Sequence, residues 1–453
     1  MQKPNIITVP NPILKKKTEK VFSFNDELKN QIEAMVRTLR HEGGVGLAAN
    51  QIGYQNQTIA IEFKPTDKDS EIKPIPLTIY INPEIIEFSE KKENFEEGCL
   101  SVPKIELEVL RPSSIKIKYR NEKGLKKKSA PKGILARILQ HEVDHLNGVV
   151  FIELAKKQFF EKNPNFKDLK ILFVGSGGFA SIILEGLIHL GLNLDILTEK
   201  AKPAGRDQTI KITPVAETAK RFGKEYLESV LLTDVGERPF DLFICADFGQ
   251  KIPSSILSQA KIAAINIHPS LLPKYRGPSP IQTAILKGDK KTGVSIIKMT
   301  DKIDEGPILA QFETDVQPND DYRMLRDRLA TSALKLLVKA LPPLAHNKLE
   351  QAPQDPQKAS YTKIFKKEAG LIDWKKKPSV VERQIRAFKI WPKSYTFIDN
   401  KRLIIHQAHL ENDHLVLDCV QLEGKKPTSW REFMRGYRGP KPEWFEKITV
   451  KAK

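Results

Sequence analysis

The sequence predicts a multidomain chain: an α+β unit, then a doubly wound α/β unit, then a small basic module. Three observations predict this. Up to about residue 146, helical periodicity alternates with short strands separated by turn dipeptides. From Leu169 onward, unbroken apolar strands alternate with helical patterns, which is the signature of strands buried on both faces. Residues 357–453 carry 22 basic against 11 acidic side chains, so most of the +18 net charge sits in the last fifth. A chain of 453 residues also exceeds what one core sustains, which fits two or three domains.

In the first unit a helical pattern runs from about Asp26 to Arg40, and Gly43 to Gly46 forms a turn. Asn82-Pro83, Arg111-Pro112 and Asn121 to Gly124 mark turns between strands. Ile134, Leu135, Ile138 and Leu139 recur at three and four residues, so the closing helix places His141 and His145 one turn apart on one face. The polar stretch Lys156 to Asp168, containing Asn163-Pro164-Asn165, reads as a linker.

The second unit opens on the strand Leu169 to Val174, the turn Gly175-Ser176-Gly177-Gly178 and a helix from Phe179 to Leu190. Strands at Leu194 to Thr198, Asp241 to Ala246 and Ala263 to Ile267 come next, which predicts a parallel sheet. The proline-rich passage Leu341 to Pro356 sets off the third module. The expected division is 1–160, a linker at 161–168, 169–345, a linker at 346–356, and 357–453. An opening without a signal pattern and only three cysteines predict a cytoplasmic location, and the absence of a long apolar run predicts no membrane partner. The lysine runs at 15–17, 126–128 and 375–377 read as solvated faces.

Two imidazoles four residues apart can share a metal, and Cys99 in Glu97-Gly98-Cys99-Leu100-Ser101 supplies a third ligand. Three ligands leave a fourth position open, the mark of a catalytic rather than a structural site. Glu142 lies beside the first histidine, where a carboxylate moves protons in metal-assisted hydrolysis. Gly44 to Gln51 is a loop of small residues that admits a substrate backbone and ends in an amide donor.

In this order the three stretches resemble the peptide deformylases, over about residues 4 to 160. The resemblance implies an α+β metallohydrolase in which Cys99, His141 and His145 hold Fe²⁺, or Zn²⁺ in its place. It further implies that Glu142 handles protons and that Gln51 and the Leu100 amide stabilise the oxyanion. The implied substrates are formylated nascent peptides at the ribosome. Asp144 is expected to orient a histidine or close the local network.

The turn at Gly175 to Ala180 fits a loose dinucleotide fingerprint, with Asp195 or Glu199 near the acidic position, and on its own would suggest an NAD-linked enzyme. The motifs farther along the chain point elsewhere. Asn266-Ile267-His268-Pro269-Ser270-Leu271-Leu272-Pro273 lies at the end of a buried strand, and Ile303-Asp304-Glu305-Gly306 comes after it. An amide, an imidazole and a carboxylate in one cleft can hold an oxyanion, move a proton and orient the imidazole.

Residues 169 to about 440 resemble the methionyl-tRNA formyltransferases. The resemblance implies that Asn266, His268 and Asp304 are catalytic, that Ser270, Leu271, Leu272 and Pro273 touch the folate, and that 10-formyltetrahydrofolate donates the formyl group to initiator methionyl-tRNA. Pro203-Ala204-Gly205-Arg206 matches an inserted loop that reaches the tRNA, making Arg206 the leading RNA contact. Ile372-Asp373-Trp374, Ile385-Arg386-Ala387-Phe388, Trp391-Pro392 and Gly424-Lys425-Lys426 extend the match into a small OB-like β-barrel that binds tRNA. Only a short connection lies between His406 and Val420, so an open or smaller barrel is expected. Trp374 and Trp391 are expected as core anchors.

The sequence therefore predicts a bifunctional enzyme of translation initiation that formylates initiator methionyl-tRNA and deformylates nascent peptides. The alternatives are an active deformylase fused to a non-catalytic tRNA-binding module, and a dehydrogenase fused to a metallohydrolase.

Overall fold

The structure, a computed structural model, describes residues 4–65, 73–204, 209–229, 240–440 and 442–448. It divides into two compact units, Met1–Asp168 with Glu185–Asn193 and Arg221–Gly223, and Leu169–Leu184 with Leu194–Lys220 and Lys224–Lys453. Among the described residues no helix is long and apolar enough to cross a membrane.

In the first unit the helix Asp26–Glu42 starts where the Asn25 side chain accepts the Leu28 amide, and it stops at Gly43 in the left-handed region. Its buried face, including Met35 and Leu39, packs on Leu47, Ala60, Ile79 and Ile81. The antiparallel sheet runs in the order Gly46–Ala48, Thr58–Phe63, Ile75–Phe88, Ile115–Arg120, Lys126–Ser129. The strands Lys92–Cys99 and Val102–Pro112 form a separate hairpin. Ala136, Ile138, Leu139 and Leu146 of the helix Gly133–Leu146 bury against Ile59, Ile61, Tyr80, Ile115 and Ile117, fixing the histidine-bearing helix on the sheet.

Two expectations for this unit fail. Asn82-Pro83 does not end a strand: Ile75–Phe88 is continuous, with an irregular register between Ile81 and Glu84. Proline cannot donate to a ladder, and here the Asn82 side chain pairs with Val21 instead, accepting from its amide at 2.8 Å and donating to its carbonyl at 2.7 Å. The stretch Lys156 to Asp168 is not a loose linker. The helix Phe151–Lys162 and the turn Pro164–Lys167 occupy it, because Phe151, Ile152, Ala155, Phe159 and Phe166 are buried among the polar residues.

The second unit is built on a seven-stranded sheet in the order Leu227–Ser229, Asn193–Glu199, Lys170–Gly175, Phe240–Ala246, Ala260–His268, Lys291–Lys298, Ile308–Asp315. Phe240–Ala246 pairs in parallel with both neighbours, but Lys291–Lys298 and Ile308–Asp315 are antiparallel, so the expected parallel sheet is mixed. The reversal comes at Lys291–Lys298, which runs against Ala260–His268; the short connection from Met299 to Pro307 then closes a hairpin, being too short for a parallel crossover. That hairpin loop carries Asp304. Helix Tyr322–Ala345 runs through Pro342 and Pro343, because Leu337, Ala340, Leu341 and Leu344 keep burying one face. The expected linker 346–356 is likewise built in: Ile308 and Ala352 exchange both backbone hydrogen bonds, at 2.8 and 2.9 Å.

The C-terminal strands Ser394–Ile398, Lys401–Glu411, His414–Leu422 and Thr428–Ser429 form an open antiparallel sheet with the helix Pro378–Ala387. The span from His406 to Val420, expected to be only a short connection, instead belongs to two paired strands, Lys401–Glu411 and His414–Leu422, joined by the tight turn Asn412-Asp413, both residues at positive φ, as a two-residue hairpin requires. Trp430, Trp444 and Phe445 close the core, and Trp374 stacks on Trp444 with ring centroids 4.7 Å apart. Trp374 is thus a core anchor. Trp391 is not: it is 56% exposed, and its indole N–H donates to the Phe365 carbonyl.

Two candidate active sites

Cys99 ends the strand Lys92–Cys99, and His141 and His145 lie on the helix that packs over the sheet. Their ligand atoms all fall within 4.8 Å of one another, and Cys99 Sγ lies 3.1 Å from His145 Nε2. A thiolate and two imidazoles converging from different elements suit Fe²⁺ or Zn²⁺. Burial, reinforced by nearby His141, holds His145 well below the ordinary imidazole range, which keeps its lone pair available for a metal.

A cavity of about 730 Å³ opens beside the cluster, lined by Gly44, Gly46, Gln51, Leu100 and Glu142 as well as Cys99 and His141. Gln51 Oε1 accepts the Ala48 amide at 2.8 Å. Its Nε2 is thereby turned toward Cys99 Sγ at 3.4 Å and Ser101 Oγ at 3.1 Å. Glu142 is buried with Oε2 unpartnered, and desolvation pushes its carboxyl up to about 7, so it can both hold and release a proton. Gly46 leaves room for it, since a Cβ there would lie 2.4 Å from Glu142 Oε1 and displace the carboxylate.

Of its two expected roles Asp144 takes the second: it does not orient a histidine but closes the local network, accepting from Arg111 Nη1 at 2.6 Å. Glu97 does the orienting, accepting from His141 Nδ1 at 3.0 Å while Arg111 and Arg137 hold the same carboxylate. Burial opposes its charge, yet the hydrogen bonds from His141 and Arg111 keep Glu97 at about 2. The signal was present in the sequence, because residues 97 and 99 of one strand share a face.

The second cavity, of about 420 Å³, includes Asn266 and His268 from the end of strand Ala260–His268, Asp304 from the hairpin loop, and Asp247 and Ile364. Asp304 joins the constellation: Oδ1 accepts from Asn266 Nδ2 at 3.0 Å, Oδ2 accepts from the Gly277 amide at 2.8 Å, and His268 Nδ1 faces Oδ2 at 3.6 Å. The other imidazole nitrogen, Nε2, donates to the Tyr275 carbonyl at 2.9 Å. Asp304 (φ 56°) and Tyr275 (φ 62°) are both left-handed, a conformation that surrounding contacts must enforce for a bulky residue. Ser360 Oγ accepts the Tyr275 amide, and Asp289 accepts its hydroxyl.

Ser270 to Pro273 do not line this cavity. Ser270 and Leu272 are buried, with Ser270 donating to the Lys274 carbonyl and the Leu272 amide bonded to Ser295, so the turn braces His268 from its C-terminal side. Arg206 lies outside the described residues. Cys245 is buried, and burial raises its thiol.

The glycine turn is occupied by the chain itself. The Ser176 and Gly177 amides donate to the Asp247 carbonyl, and the Asp247 carboxylate accepts from Phe179 N at the start of helix Gly178–His189. A Cβ on Gly177 would sit 1.8 Å from that carboxylate. A helix N-terminus that already faces a fixed carboxylate repels a pyrophosphate, which disfavours the dinucleotide reading.

Comparison with known proteins agrees with this partition. Residues 3–160 match the family model described as polypeptide deformylase, 169–341 that of formyl transferase, and 364–416 that of the formyl transferase C-terminal domain. A methionyl-tRNA formyltransferase of Agathobacter rectalis is 32% identical over 299 residues, covering 59% of this chain and 96% of that protein. One from Staphylococcus aureus is 35% identical over 252 residues, 53% of this chain and 79% of that protein. The Met-Ala-Ser-bound structure of a class I type b peptide deformylase from Acinetobacter baumannii shares 33% identity over 34% of this chain and 98% of its own, with a TM-score of 0.33.

Proposed function

Because the chain belongs to the methionyl-tRNA formyltransferase family and carries a polypeptide deformylase domain over residues 3–160, we propose that it catalyses two reactions of translation initiation. One removes the formyl group from N-formylmethionyl peptides emerging at the ribosome. The other transfers a formyl group from 10-formyltetrahydrofolate to initiator methionyl-tRNA. A cytoplasmic setting belongs to this reading, supported by three free cysteines.

In the first site a divalent ion held by Cys99, His141 and His145 would supply Lewis acidity at the formyl group. Gln51 Nε2 and the Leu100 amide donate to the oxygen on which charge develops. Glu142 takes a proton from water and delivers it to the departing amine, a task its buried carboxyl suits.

In the second site the methionyl amine attacks the formyl carbon. Asn266 Nδ2 donates to the resulting oxyanion, and His268 takes the proton that the amine loses. The folate nitrogen leaves as an amine as that proton passes to it. Asp304 sets both partners, since its carboxylate touches Asn266 and faces His268. Folate binding is assigned to the walls of this cavity, with the Ser270 to Pro273 turn keeping His268 in place.

The observation that carries the reading is the convergence of Asn266, His268 and Asp304 on one cleft, which a module that only captured tRNA would not need. Two assays test it on the intact protein: transfer of labelled formyl from 10-formyltetrahydrofolate to methionyl-tRNA, and formate release from a formylmethionyl dipeptide. Both are expected. Absence of the first with intact tRNA binding would make the second unit a binding module.

The basic C-terminal module is assigned to tRNA backbone contact, with Lys425 and Lys426 exposed beside the Gly424 turn. Replacing both with alanine should weaken tRNA binding uniformly and lower the salt slope by about 2, roughly one for each phosphate no longer neutralised. An unchanged slope, measured by filter binding across salt concentrations, would remove these lysines from the interface.

A further inference from the structure

We infer that Gln354 is a positioning residue of the formyl-transfer site, clamping the Asp304 loop to the buried guanidinium of Arg276. The inference rests on the proposed formyl-transfer activity and adds a residue from a stretch expected to be a linker.

The side-chain amide of Gln354 is used at both ends. Nε2 donates to the Asp304 carbonyl at 2.8 Å and to the Gly306 carbonyl at 2.7 Å, while Oε1 accepts from Arg276 Nε at 3.1 Å and Nη2 at 2.9 Å. Of the side chains, only an amide of this length offers two donors on one tip atom and an acceptor on the other. A carboxylate keeps the acceptor and loses the donors; an ammonium does the reverse.

The clamp acts where the backbone needs it. Asp304 is at φ 56° in a loop between two antiparallel strands, and its carboxylate must meet Asn266, Gly277 and His268 together. The carboxylate is therefore set by a backbone that side-chain contacts alone would not hold. On the far side of the loop, Gly306 lies against the Lys298 carbonyl, where a Cβ would stand 1.7 Å away, so the loop is confined between that strand and Gln354.

Gln354 is itself held. Two residues earlier, Ala352 exchanges both backbone hydrogen bonds with Ile308, and further on the Arg276 amide donates to the Ser360 carbonyl. Arg276 is buried, and its remaining Nη1 meets Tyr361 at 3.1 Å and Glu305 at 3.3 Å. The connecting segment thus grips the catalytic loop from 352 to 361, and Gln354 is the point at which the grip reaches the Asp304 backbone. Removing the amide leaves the two carbonyls and two guanidinium N–H groups without these partners.

The test uses the full chain with Gln354→Ala, Gln354→Met and Asp304→Asn. Gln354→Met keeps the length of the side chain and removes its donors and acceptor without adding a charge, so it carries the test if the alanine variant fails to fold. The first readout is the titration of the His268 ring followed by NMR, which a loss of packing elsewhere does not move. Both Gln354 variants should displace its midpoint in the direction that Asp304→Asn does, by a smaller amount. The second is formyl transfer, where kcat should fall about 10- to 100-fold with KM for methionyl-tRNA little changed. An unmoved His268 midpoint in folded Gln354 variants overturns the inference whatever the activity. A displaced midpoint in a protein whose wild type transfers no formyl group would instead keep the clamp and refute the catalytic reading.

Discussion

Cys99→Ala is expected to abolish both metal retention and formate release, while Glu142→Gln keeps the metal and loses about 10² to 10⁴ in rate. The contrast comes from position. Cys99 supplies one of three ligand atoms lying within 4.8 Å of one another, and alanine leaves two imidazoles, too few for a site of this kind. Glu142 is outside that set, with a buried carboxylate oxygen that has no partner. Glutamine preserves its volume against Gly46 and removes only the capacity to carry a proton. Metal content by plasma emission and formate release from a formylmethionyl dipeptide separate the two roles. Full metal content in the Cys99 variant, or full activity in the Glu142 variant, would refute the corresponding assignment. Formyl transfer should be untouched in both, because neither residue lines the cavity that holds Asn266 and His268.

The ligands of the first site were legible because local rules fix them. A helix of strong apolar periodicity dictates that residues 141 and 145 share a face, whatever else the chain does. The pairing of Cys99 with that helix was not readable from periodicity; family resemblance supplied it. The carboxylate that orients His141 was not legible, for a physical reason. Asp144 is close in sequence to the histidines, but the position of a carboxylate on a helix does not say which neighbouring element supplies its cation, and Arg111 comes from a strand 33 residues away. The second unit shows the same division. Strand ends and glycine turns are local, so Asn266 and His268 could be placed at a cleft from sequence. Long-range closure is not local: the antiparallel pairing of Lys291–Lys298 with Ala260–His268 and the packing of residues 346–356 against the Asp304 loop depend on tertiary pairing. Composition misleads in such stretches. Prolines and polar residues read as linker, yet backbone bridges and one amide side chain make this segment part of the site.

Asp304→Asn and His268→Ala are expected to stop formyl transfer without touching formate release, each by about 10² to 10⁴ in kcat. The asparagine variant is the sharper of the two, because its shape is conserved. The carboxylate accepts on both oxygens, from Asn266 Nδ2 on one and from the Gly277 amide on the other. An amide has one oxygen, so either orientation sets its NH₂ against one of those donors and one hydrogen bond is lost. It also removes the negative charge that faces His268 Nδ1 at 3.6 Å, and with it the stabilisation of the imidazolium formed when His268 takes the amine proton. The loss of charge falls in the transition state more than in the ground state, and the lost hydrogen bond misplaces Asn266 or the Asp304 loop, so kcat should drop while folate and methionyl-tRNA binding change little. Single-turnover transfer with saturating substrates and equilibrium binding of a folate analogue measure the two quantities separately. A variant that loses folate binding in proportion to rate would make Asp304 a wall of the pocket. A folded variant that loses formate release as well would show that the two activities are not carried by separate residues.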